Sequence, residues 1–204
     1  MTATEPRSRK GARTRQRLLD AAKAVFEQAG FREARISDIA QHAGLSHGSF
    51  YHYFDSKEQI FREVADAQEA ALTAPAGHGP DGDHEPGSEY ERIRRANRRY
   101  LERYRDNGRI MSVIEEVSRY DAHVHDARTR RQKHFAERAE QSIRRLQERG
   151  AADALVDPEI AAVALGAMVA RFAEVWLVED WAEFDFDQVV EQLTRLWANA
   201  IGLR

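Results

Sequence analysis

Apolar residues recur at Leu18, Ala22, Val25, Phe26 and Ala29, the spacing of three and four that marks one buried helical stripe. Gly30 closes that run as a C′ glycine would. Ser37 stands where it can cap a short second helix with Ile39, Ala40 and Ala43 on one side. Gly44-Leu45 makes a tight turn, and Ser46 can cap a third helix running to Phe54. Ser56 with Gln59 forms a capping box for a fourth helix carrying Ile60, Phe61, Val64 and Ala65. The helical period returns over 89–106, 110–119, 122–149, 158–179 and 186–202, with Pro158 as first residue behind an Asp157 cap. No stretch alternates with period two, so the pattern predicts an all-α fold of about nine helices.

The pattern breaks once. Residues 73–88 hold four of the 12 glycines and three of the five prolines, which predicts a mobile loop. The chain has 204 residues, 42% hydrophobic and 32% charged, which suits a packed core and excludes a disordered or fibrous protein. Without cysteine it has no disulfides, thiolate metal sites or cysteine nucleophile. The longest uncharged apolar run, 160–170, is 11 residues, short of the roughly 18 that a membrane helix needs. No secretory signal is visible in 1–17, and the expectation is a cytoplasmic protein that engages no membrane. The net charge of −3 hides an asymmetry: residues 1–62 carry 11 Lys/Arg against 7 Asp/Glu, and the remainder 20 against 27. Six of the basic residues lie in 1–17, a basic arm that is either a nucleic-acid contact or a solubilising tail. The expected domains are 1–62, the basic arm with the first helices, and 63–204, a helical body.

Two short helices joined by a glycine turn within 36–54 form a helix-turn-helix, a unit that lays its second helix in the major groove. His47, Ser49 and His52 carry polar groups able to reach base edges, and Gly48 allows close approach. Tyr51 and Tyr53 offer hydroxyls to phosphate, while Phe50 and Phe54, four apart, face the core.

The run from Ile36 to Phe61 resembles the DNA-binding signature of the TetR family of bacterial repressors. The resemblance takes in Phe26 to Phe31, Ile39-Ala40, Gly44, the pairs Phe50-Tyr51 and Tyr53-Phe54, and Lys57. It covers residues 14–64; the remainder shows only the family's general plan. It implies a homodimer that binds double-stranded palindromic operators and a C-terminal domain that binds a ligand. Carried over by position, Ser37 resembles a phosphate contact, and Ser46, His47, Gly48 and Ser49 the start of the recognition helix. Tyr51, His52 and Tyr53 match groove and backbone contacts, and Lys57 a phosphate anchor. Capping is the plainer role for Ser37 and Ser46, and packing for Tyr53.

Helix 158–179 is apolar on two stripes, Val163 with Ala167, and Leu165, Val169, Phe172 and Trp176, so it must face its own domain and something else. With 186–202 it is expected to form a dimer interface through Val169, Trp176, Val189, Leu193, Leu196 and Trp197; the plainer alternative is burial within the chain. Tyr104, Met111, Ile114, Phe135, Met168, Arg171 and Phe172 are expected around a pocket for a small hydrophobic or amphipathic effector. Arg171 is either an ion pair with Glu174 or an anchor for the ligand's head. The arginine runs 92–95 and 128–131 are expected to be solvated faces. His123 and His125 diverge on a helix, and no phosphate loop, serine elbow or spaced carboxylate pair appears, so no metal, cofactor or catalytic residue is expected. The expected function is a repressor released by its ligand. The alternatives are a related regulator without ligand control, an activator, an interaction module that has lost DNA binding, or, least supported, an enzyme in the C-terminal helices.

Overall fold

A computed structural model describes residues 9–73, 87–179 and 181–204. Among them nine helices form and no strand: α1 (Arg9–Glu33), α2 (Ile36–His42), α3 (His47–Phe50), α4 (Lys57–Thr73), α5 (Glu89–Asp106), α6 (Gly108–Ser118), α7 (Ala122–Glu148), α8 (Pro158–Leu177) and α9 (Phe186–Ala200). The start of the basic arm and most of the expected loop 73–88 lie outside the described residues.

Local chemistry sets the boundaries. Gly30 takes φ 73°, a left-handed conformation open to glycine, and breaks α1 before its last turn. Asp157 caps α8 through its carboxylate to the Ile160 N–H with Pro158 behind it, and Ser88 and Asp185 cap α5 and α9 in the same way. The arm is ordered further than the apolar pattern indicates, because α1 begins at Arg9, two turns before Leu18.

The chain divides into two compact units, one of residues 1–69 with 109–127, the other of 70–108 with 128–204. Residues 109–127, which the sequence pattern places in the second domain, therefore pack with the first. Polar contacts tie them there: Arg62 of α4 holds Asp121 through two nitrogens at 2.8 and 3.0 Å, Asp66 meets His123 Nε2 at 2.8 Å, and Arg32 meets Glu116 at 3.4 Å. Asp121 also accepts the Val124 N–H at the start of α7. Burial alone would raise the Asp121 pKa, but the Arg62 hydrogen bonds, the Val124 N–H and the Arg62 charge outweigh it and hold the carboxyl below its usual range.

The second unit packs α5 on α9 and α8. Asn97 donates to Thr194 Oγ1 at 3.3 Å, both buried, and Tyr90 donates to Glu191 at 2.7 Å. Ile143, Leu146, Ala152, Ala162, Leu165 and Ile201 form one core cluster, with Met168 and Trp197 against it. Length and composition alone would let α8 cross a membrane, yet its inner stripe of Ala162, Leu165, Val169, Ala173 and Trp176 is buried in this unit.

Candidate nucleic-acid interface

The helix-turn-helix is built on an aromatic core. Phe26 and Phe61 meet edge to face at 5.0 Å, as do Phe31 and Phe61 at 4.9 Å, and Phe50 and Phe54 lie tilted at 5.7 Å, with Phe26, Phe50, Phe54 and Phe61 fully buried. Between α2 and α3 the chain turns at Gly44, φ 64°, where the Leu45 N–H reaches the Ala40 carbonyl at 2.9 Å. A side chain at Gly44 would also come within 3.1 Å of Arg17. Two arginines of the basic arm hold this core in place: Arg15 pairs with Glu63 and lies 4.8 Å over the Phe54 ring, and Arg17 donates to the Ala43 carbonyl.

Ser46 caps α3 as expected, its Oγ accepting the Ser49 N–H at 3.3 Å and lying 2.8 Å from Ser49 Oγ. α3 is shorter than the pattern indicates. After Phe50 the chain continues in tighter bonds three residues apart, the His52 N–H to Ser49 and the Tyr53 N–H to Phe50, so Tyr51, His52 and Tyr53 sit on a turn. Ser46, His47, Gly48, Tyr51 and His52 are exposed, Ser49 and Tyr53 half-buried. Tyr51 is 49% exposed, its ring edge-to-face with His47 at 5.3 Å. A β-carbon on Gly48 would meet no atom within 4 Å, so nothing in the fold requires glycine there. Aromatic and polar side chains thus surround an open glycine at this surface.

One assignment changes. Ser37 does not cap α2: the N-cap is Arg35, so Ser37 is already the second residue of the helix, and its hydroxyl, exposed, donates to Asp38 at 3.1 Å. Lys57, half-buried, opens α4. Its ammonium donates to the carbonyls of Phe31 at 2.8 Å, Ala34 at 2.9 Å and Arg32 at 3.1 Å, and lies 4.7 Å over the Phe31 ring.

The expected pocket residues are divided. Met111 and Ile114 are buried on α6 in the first unit; the other five belong to the second. There Tyr104 and Phe135 share the ring of Tyr100, at 5.9 and 5.6 Å, and Met168 lies against the core cluster. Phe172 packs between Trp176 and Phe184. Arg171 is exposed and pairs with Glu174 at 3.0 Å and Glu179 at 2.8 Å, so the ion-pair alternative describes it. Burial pushes the Tyr104 phenol well up, Tyr100 and Glu174 adding to it against Arg131 and Arg128. Arg131, read from sequence as part of a solvated face, is buried. Its spacing from Val124 and Ala127 places it on the inner stripe of α7, a signal that its charge disguised.

The expected dimer residues move too. Val169, Trp176, Val189 and Leu193 are buried within their own chain and Trp197 packs on the core cluster; Leu196 alone of the six is exposed. α8 instead turns its other stripe outward, with Ile160 69% and Val163 56% exposed beside exposed Ala164 and Ala167. The two-stripe pattern is present, with inside and outside exchanged.

The family model for the DNA-binding region of bacterial regulatory proteins of the TetR family matches residues 18–64, and the model for the C-terminal domain of the transcriptional regulator EthR matches residues 93–202. The chain belongs to the TetR family of transcriptional regulators. This TetR-family chain is 49% identical over 55 residues to the HTH-type transcriptional regulator YdgC of Bacillus subtilis, covering 27% of this chain and 28% of that one. It is 42% identical over 62 residues to the HTH-type transcriptional repressor KstR2 of Rhodococcus jostii, covering 30% and 29%. The aligned stretches thus span under a third of these relatives' own length. The fold is similar to that of the FadR regulator of Bacillus subtilis in complex with stearoyl-CoA, with a TM-score of 0.73, 16% identity and coverage of 91% of this chain and 98% of that one. The helix-turn-helix is therefore the DNA-binding element of a transcriptional regulator.

Proposed function

We propose that this TetR-family regulator is a homodimeric repressor that reads a palindromic operator and is released by a small hydrophobic or amphipathic effector. The observation that carries the DNA side is the exposed set Ser46, His47, Gly48, Tyr51 and His52, held on a rigid aromatic core with an unfilled position at Gly48. His47, Ser49 and His52 supply donors and acceptors to base edges, Tyr51 and Tyr53 hydroxyls to phosphate or an aromatic face to a thymine methyl. Ser37 and the exposed Arg9, Lys10 and Arg13 contribute backbone contacts.

The outer stripe of α8, Ile160, Val163, Ala164 and Ala167, with Leu196 of α9, supports the dimer, because an apolar row of this length gains by being covered. Reading a palindrome by such a dimer calls for two reading elements about 34–36 Å apart, one turn of DNA. The effector reading is supported by Tyr104, Phe135, Phe172 and Met168, aromatic and apolar side chains of the second unit, and by the fold shared with a stearoyl-CoA-bound regulator. A long acyl thioester is the class to try first.

Selection of bound sequences from random duplexes by the full-length protein tests the reading. An inverted repeat with half-sites about ten base pairs apart, released by stearoyl-CoA, is the expected result. Enrichment of no sequence would overturn it, and an enriched repeat that stearoyl-CoA leaves bound would overturn the acyl thioester alone.

A further inference from the structure

Among the described residues Arg131 is the only arginine that is buried, 5% exposed on the inner stripe of α7. One turn along α7, Phe135 meets the ring of Tyr100 edge to face at 5.6 Å. One turn along α5 from Tyr100 stands Tyr104, also buried, its ring 5.9 Å away. Arg131 and Phe135 on one helix therefore run beside Tyr104 and Tyr100 on the other. Burial is the largest influence on the Tyr104 phenol and keeps its proton on, while the charges of Arg131 and Arg128 act on it in the opposite direction, as neighbours do. Glu174, the acid that also acts on this phenol, is held from the surface by Arg171 at 3.0 Å.

A guanidinium and a protonated phenol together make a donor set for an oxyanion: a planar fork for two oxygens and a hydroxyl to reach one of them. Away from water, such charge-assisted bonds are stronger than at a surface. The half-buried rings of Tyr100 and Phe135 stand next to the donors and offer apolar faces to a chain. We infer that Arg131 and Tyr104 bind the head of the effector, and that this head is an oxyanion on a long apolar body: the carboxylate of a free long-chain acid, or a phosphate of its coenzyme A ester. The inference rests on the effector reading proposed above and specifies its chemistry. It moves the head's anchor from Arg171, exposed and paired with Glu174 and Glu179, to the inner stripe of α7.

Equilibrium dialysis of the full-length protein at neutral pH, without DNA, tests this with stearate, stearoyl-CoA and neutral stearyl alcohol, each below its micelle concentration. In the wild type at least one of the two anions binds about tenfold or more tightly than the alcohol. Arg131→Met and Tyr104→Phe, their folding checked by circular dichroism, each weaken that anion about tenfold and leave the alcohol within about twofold. Dependence of stearate on Arg131 identifies the head as the carboxylate; dependence of stearoyl-CoA alone identifies it as the phosphate. Should Arg131→Met fail to fold, the wild-type comparison and Tyr104→Phe decide. An alcohol that binds the wild type as tightly as both anions overturns the oxyanion head and leaves a hydrophobic effector standing. So do variants that keep full affinity for the anion, or that lose anion and alcohol alike, which is the mark of a structural role. If none of the three binds the wild type, the effector reading falls, and this inference with it.

Discussion

Gly48→Ala separates what the fold needs from what DNA needs. The backbone at Gly48 is not in the left-handed region, and the added β-carbon has open space around it. Alanine there relieves the entropic cost of a glycine in α3, a gain of ~0.5–1 kcal/mol. For a chain of this size that raises the melting temperature by roughly 1–4 °C. Gly44→Ala makes the matched control, since φ 64° and the 3.1 Å approach to Arg17 both oppose a side chain, and its melting temperature falls. At the DNA interface the sign reverses for Gly48. A methyl pressed into a close-packed contact costs ~1–3 kcal/mol, which weakens binding about 5- to 150-fold. Differential scanning calorimetry and fluorescence anisotropy on the selected duplex read the two effects. A variant that melts higher and binds as tightly as wild type would remove α3 from the close contact and refute the reasoning.

The α8 stripe and the acid response give two more expectations. Val163→Glu should yield a folded monomer by sedimentation with melting close to wild type, since Val163 is exposed in its own chain, whereas Leu193→Glu should unfold the second unit by burying a charge. A Val163→Glu protein that still sediments as a dimer would move the interface elsewhere. Asp121 carries a folded-state pKa below its unfolded value, so the unfolded chain binds more protons in that window and stability rises with pH across it. Asp121→Asn should therefore cost ~0.2–1 kcal/mol at neutral pH. That deficit should disappear as the pH falls through the depressed folded pKa, and a deficit constant with pH in urea titrations would show that the Arg62 pair is not its source.

Much of this was legible in the chain because it depends on local rules. The caps at Ser46 and Asp157, the Gly44 turn and the buried Phe50 and Phe54 follow from residues a few positions apart. What was misassigned depends on partners distant in sequence. Alanine, valine and leucine surround α8 on nearly every side, so composition does not say which stripe faces α5 and α9. The same packing took Val189 and Leu193 inward and left Leu196 out. The partners of Lys57 were invisible for a different reason: they are backbone carbonyls, and a carbonyl leaves no mark on the residue type that carries it. Arg131 was hidden by its own charge on an inner stripe.

The reading unit is made of two separated pieces of chain, 1–69 and 109–127, stitched by Arg62–Asp121, Asp66–His123 and Arg32–Glu116. That has a consequence for how such regulators are recombined. A hybrid joined at the end of α4, the natural place to exchange one sensor for another, would carry Arg62 and Asp66 across but leave Asp121 and His123 with the discarded parent. The transplanted head would keep its own reading surface and meet a foreign α6–α7 corner. Functional hybrids should therefore come from grafts that move both pieces together, or from donors whose corner offers an acid opposite Arg62 and a base opposite Asp66.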